Sequence, residues 1–170
     1  MPLTAGSALS ASCVPPVPGT HSYAYRLPPP SRFTVAPEAI EAVGLLGESR
    51  RDIGLLAITS ADRLHAGWTA ARKLRRDRRS VQHLSHVEKL LAPLPRECGI
   101  VTVLDGHPAT LAWLGSVRGH RAEALGVEHF GQTGTIDDLY RHHGIDANAI
   151  IDAAESLTAG APVRHRKMAV

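Results

Sequence analysis

A chain of 170 residues is long enough for one domain with a sizeable core. With 44% hydrophobic and 21% charged residues it has the composition of an ordinary globular protein, and its formal net charge of +3 is concentrated locally. Arg72, Lys73, Arg75, Arg76, Arg78 and Arg79 make one basic run, without interleaved aromatics for base stacking, and no segment approaches the ~20 apolar residues of a membrane span. Neither a nucleic-acid nor a membrane partner is therefore expected. Cys13 and Cys98 are too few and too far apart for a disulfide framework or a metal cluster, which fits a reducing, cytoplasmic setting.

In chain order, residues 1–36 come first as a proline-rich leader. Eight of the twelve prolines lie at or before Pro37, including Pro15-Pro16 and Pro28-Pro29-Pro30. Proline fixes φ and removes a backbone donor, so the leader is expected to be extended or disordered, with no continuous helix and no central strand. A short strand at Arg32–Ala36 is the regular element it could hold.

Residues 37–158 read as the folded domain, and 159–170 as a basic tail. Pro37 suits a first helical position and opens a helix with Ile40, Val43, Leu45 and Leu46 near one face. Ile53–Thr59 is a continuous apolar run, expected to be a strand buried on both faces. Ser60 and Asp62 mark a helix start, and Leu64, Trp68, Ala71 and Leu74 follow at helical spacing up to the basic run. Ser85–Leu91 reads as a short helix stopped by Pro93 and Pro95.

Gly99–Leu104 is a second strong strand, Pro108–Val117 a helix with Leu111 and Leu114 facing inward, and Arg121–Val127 a weaker strand. Thr135 starts a helix that Gly144 ends, and Asp146 caps the last one, Ala147–Leu157. Strands alternating with helices predict an α/β fold with a mostly parallel sheet covered on both faces. Three strands are few for such a sheet, where about five or six are usual, so either the leader contributes a strand or the domain is incomplete at its N-terminal side.

Chemistry-bearing residues gather at two strand ends. Asp105, Gly106 and His107 follow one strand, where α/β folds commonly place ligands. They could be an acid–base pair or an anion site, or a tight turn whose side chains satisfy backbone amides. Glu128 and His129 follow the next strand, before the turn Gly131, Gln132, Thr133, Gly134. That turn lacks the Gly-Lys-Ser/Thr of a phosphate-binding loop and a full G-x-G-x-x-G, and His129, Phe130 and the two glycines could equally pack one turn against a neighbour or another subunit.

No metal site is expected. His83 and His86 have no completing carboxylate or cysteine, and the adjacent His142 and His143 point to different faces of a helix. Nucleophile-elbow and zinc-protease motifs are absent from the sequence.

The passages LLAITSADRLHAGWTAARK, LDGHPATLAWLGS and GVEHFGQTGTIDDLYRHHGIDANAI resemble the C-terminal domain of transketolase-like, thiamine-diphosphate-dependent enzymes. The wording is most similar to homodimeric-type pyruvate (2-oxoacid) dehydrogenase decarboxylating components. The resemblance runs from about Pro37 to Leu157 and implies a three-layer α/β/α domain with a mixed sheet of about five strands. It also implies that this chain lacks the family's first strand, with Phe33–Ala36 at most a remnant.

Family members use thiamine diphosphate and magnesium, held by two further domains whose motifs are not in this sequence. Leu104-Asp105-Gly106 is not the family's magnesium-binding motif. No catalytic residue can be carried over, and no cofactor is expected on this chain alone.

The function expected from the resemblance is that of a truncated or split C-terminal domain with an assembly or regulatory role. Its partners would be thiamine-diphosphate-binding domains or subunits of the same enzyme, within an oligomer, and in some relatives the acyltransferase component. Asp105, Gly106, His107, Glu128, His129, Gly131, Gln132, Thr133 and Gly134 are the candidate interface or anion-binding turns. Two alternatives stand beside this: a subunit completing a composite pyruvate dehydrogenase or transketolase, and a stand-alone anion-binding module.

Overall fold

The computed structural model describes residues 8–12, 35–50, 52–78 and 83–158. They form β1 (Ala8–Ser12), α1 (Ala36–Ser49), β2 (Gly54–Ile58), α2 (Ala61–Arg78), α3 (His86–Leu90) and β3 (Ile100–Leu104). Then come α4 (Ala109–Ala112), α5 (Gly115–Arg118), β4 (Ala122–Leu125), α6 (Ile136–His143) and α7 (Ala147–Thr158). The strands make one mixed sheet in the order β2-β1-β3-β4. β1 is antiparallel to both neighbours and β3 is parallel to β4, so β2, β3 and β4 share one direction.

This sheet corrects the expectation that the leader holds no central strand, and of the two alternatives for the missing strand it is the leader that contributes one. Ala8–Ser12 is a central strand, with Ser10 level with Leu56 on one side and Thr102 on the other. The physical reason lies in where the prolines begin. Between Pro2 and Pro15 the leader has none, so ALSAS can offer every backbone donor to two neighbours. The strand expected at Arg32–Ala36 is not formed in its described part, since Val35 lies in a turn and Ala36 begins α1; residues 32–34 lie outside the described residues.

Helices cover both faces of the sheet at β3. Val101 and Val103 pack with Ala39 and Ala42 of α1 and Ile150 of α7. Ile100 and Leu104 pack on the opposite side with Trp68, Val87, Leu91 and Leu111. Every residue of β3 is buried as a result. β2 departs from its expected burial on both faces: Leu55 and Ala57 are exposed, and among the described residues the strand lies at the sheet edge with β1 as its one neighbour.

Local signals place the helix ends. Pro37 sits in the first turn of α1, and Gly144 terminates α6 in the left-handed conformation at φ 62°. The helix expected over Pro108–Val117 is two short helices separated at Trp113–Leu114, with Leu111 and Leu114 buried as their spacing predicts. The break brings Gly115 against β4, where a Cβ would lie 2.7 Å from that of Ala122.

Two polar clusters tie the periphery. Arg50 donates to both carboxylate oxygens of Asp52, at 3.0 and 2.9 Å, and to Thr158 Oγ1 at the end of α7. Glu88 of α3 accepts from Arg75 of α2 and from the amide and hydroxyl of Ser85, which in turn caps α3. Burial pushes the Glu88 carboxyl up, but the bonds from Arg75 and Ser85 outweigh it and hold the group below its ordinary value. Among the described residues no helix is long and apolar enough to cross a membrane.

Candidate functional site

The parallel pair β3 and β4 ends at a common edge, and the turns that follow both strands meet there. Their contact is backbone on backbone. Val127 donates its N–H to Gly106 O at 2.8 Å. A Cβ on Gly126 would lie 2.4 Å from Gly106 O and 2.9 Å from Pro108 N. Glycine at position 126 is thus required by close approach, because neither neighbour is a side chain that could swing away.

Beyond that contact lie two adjoining hollows. Asp105, Gly106, His129, Gly131 and Gln132 line the first, with Phe130, Ile136 and Tyr140; its volume is about 290 Å³. Glu128 and His129 line the second with Pro108, His142 and His143, at about 300 Å³. His129 and His143 belong to both. Both volumes lie at the bottom of the ~300–1,000 Å³ usual for small-molecule sites, a size better suited to an inserted side chain than to an enclosed cofactor. His107, Thr133 and Gly134 line neither hollow.

The turns satisfy themselves. His107 Nδ1 accepts the N–H of Ala109 at 3.2 Å, and α4 is a single turn. Thr135 caps α6 by accepting the N–H of Asp138 at 3.3 Å, while its hydroxyl donates to Asp138 Oδ2 at 2.6 Å. Asp137 and Asp138 put negative charge in the first turn of α6. An anion approaching α4 meets the engaged amide of Ala109, and at α6 the engaged amide of Asp138 and two carboxylates. Gly131 adopts φ 115°, a conformation that side chains rarely take, whereas Gly134 packs ordinarily against Asp138.

Phe130, expected in the turn that packs against a neighbour or another subunit, is joined at this edge by Ile136, which the sequence does not single out. Phe130 is 88% exposed and Ile136 is 65% exposed, although both line the first hollow. Ile136 opens α6 one turn before the buried Tyr140, on the same face of the helix, so spacing alone would predict its burial. Phe130 carries no such signal, since an aromatic residue in a turn is as compatible with burial as with exposure.

Among the described residues no group of three or more His, Cys, Asp or Glu side chains could hold a metal ion. Cys98 is buried beside His120, whose Nδ1 donates to the Cys98 carbonyl at 3.1 Å; Cys13 lies outside the described residues. In comparisons with known proteins, no family model, no curated protein and no solved structure matches this chain.

Proposed function

We propose that this chain is an assembly domain of the kind that forms the C-terminal domain of transketolase-like thiamine-diphosphate enzymes. It docks through the β3–β4 edge onto separate subunits that bind the cofactor, and it performs no catalysis alone. The observation that carries this reading is the exposure of Phe130 and Ile136 over an apolar hollow floored by Val127, Leu139 and Ile145. Large apolar side chains held open together are the mark of a surface that another protein covers. The wording LDGHP and GVEHFGQTG, which prompts the family comparison, surrounds the same edge. A three-layer α/β/α arrangement and a cytoplasmic setting belong to the same reading, and the helices on both faces of β3 support the former.

The residues at this edge do not fit a diphosphate and magnesium. His107 engages the Ala109 amide at the start of α4, and the start of α6 is acidic and capped by Thr135. Under this reading thiamine diphosphate belongs to the partner subunit. An acyltransferase component is a further partner under the family reading. The exposed Asp105, Glu128 and His129 favour a second version, in which the docked chain completes a composite pyruvate dehydrogenase or transketolase.

Calorimetric titration of thiamine diphosphate and Mg²⁺ into the chain alone is expected to give no saturable heat. Saturable binding with decarboxylation of a 2-oxoacid by the chain alone would overturn the reading. Sedimentation with a homodimeric-type pyruvate dehydrogenase component deleted of its C-terminal domain should show association that Phe130→Ser abolishes.

A further inference from the structure

We propose that the outer edge of β2 is a docking site for an extended segment of a partner polypeptide, added to the sheet as a further strand and carrying an acidic side chain opposite Arg63. Gly54–Ile58 pairs with β1 on one side, and among the described residues no strand pairs with it on the other. The outward N–H and C=O groups of such an edge are complemented best by another extended backbone. Common devices that close an edge are missing here: GLLAI contains neither a charge nor a proline. Leu55 is 37% exposed on this strand.

A groove of about 370 Å³ runs beside the edge, between Leu56–Ile58 of β2 and Leu64, His86 and Leu90 of the adjoining helices. Leu90 is 40% exposed within it. An added strand places alternate side chains on this face, and the groove offers them apolar walls.

Charge decides which kind of segment fits. Arg63 lines the groove and no acidic side chain does; Asp62, its neighbour in the chain, is not among the walls. Among the described residues Arg63 is in none of the salt bridges. A bound segment with a carboxylate at this level gains a complementary partner, and one with a cation meets repulsion. A second copy of this chain fits less well, because GLLAI and its groove would bring no carboxylate to either Arg63.

The test uses the full chain and two fluorescein-labelled synthetic octapeptides of alternating valine and threonine, one with a central aspartate and one with a central lysine. Anisotropy titration should show the aspartate peptide binding about tenfold more tightly, the effect of exchanging one exposed attraction for one repulsion. Arg63→Glu should invert that order, and Leu55→Lys should weaken both peptides; both positions are exposed, so the fold is retained. Phe130→Ser should change neither affinity, which separates this site from the proposed assembly edge. Equal affinity for the two peptides, or no binding, overturns the proposal. So does self-association without peptide that Leu55→Lys abolishes, which would assign the edge to a second copy.

Discussion

Arg75 grips Glu88 with both arms of its guanidinium, at 3.0 and 2.8 Å, and so joins α2 to α3. One cation of the basic run is therefore a structural tie and not part of a solvated face. A second, Arg72, lies over the ring of Trp68 at 4.7 Å, where Trp68 also stacks on Trp113. Arg75 is neutralised by Glu88 and Arg72 is held against Trp68, which weakens any reading of the run as a free polyanion-binding stripe.

The Glu88 carboxyl is held below its ordinary value in the folded chain, and the sign of its pH dependence follows. As pH falls, the unfolded chain takes up this proton first. The stabilisation is complete above the ordinary carboxylate value and is lost as pH drops through the lower folded value. Glu88→Gln is expected to cost about 2 kcal/mol at neutral pH in urea unfolding, since it leaves Arg75 facing an uncharged partner. The gap between wild type and variant should narrow on acidification below the carboxylate range. A gap that stays constant down to the acid transition would show that another group carries the effect.

The central position of β1 makes a severe demand on five residues. Ser10→Pro removes a backbone donor between two paired neighbours and is expected to cost about 2–4 kcal/mol. The amides of Ala8–Ser12 should exchange as slowly as those of β3. Rapid exchange at Ala8–Ser12 together with an unchanged melting temperature in Ser10→Pro would place the strand outside the stable sheet.

Gly126→Ala should destabilise the chain by about 3 kcal/mol, because the added methyl meets Gly106 O and Pro108 N and must move backbone on two turns. Gly134→Ala is the control: its Cβ would sit 3.5 Å from that of Asp138, an ordinary contact. Its effect should stay within about 0.5 kcal/mol. Equal effects of the two substitutions would mean that the turns do not depend on this close approach.

Phe130→Ser and Leu111→Ala separate surface from core. Phe130 is 88% exposed, so its loss should change stability by less than about 0.5 kcal/mol. Leu111 is fully buried among Trp68, Val87 and Ile100, and truncation should cost about 3–4 kcal/mol. If Phe130→Ser were as damaging to the isolated chain as Leu111→Ala, Phe130 would be part of its core and could not be an uncovered interface.

Short-range chemistry was readable from the chain itself. Thr135 starts α6 and Gly144 ends it where the sequence places them, and the short helix expected from Ser85 forms with Ser85 as its cap. The apolar run Ile100–Leu104 became the buried strand it predicted. These features depend on bonds within a few residues, so they survive whatever the rest of the chain does. The candidate turns were readable to the same degree: Asp105, Gly106, Glu128 and His129 follow parallel strands and therefore meet at one edge.

Only the tertiary structure decided which apolar residues stay in water. Ile53–Thr59 and Gly99–Leu104 read alike in sequence, yet β3 lies inside the sheet and β2 at its edge, because β1 entered between them from a leader dominated by proline. Hydropathy states what a side chain would gain by burial; sheet order and the placement of turns determine whether anything is there to bury it against. That is why Leu55, Phe130 and Ile136 carry the proposals made for this chain.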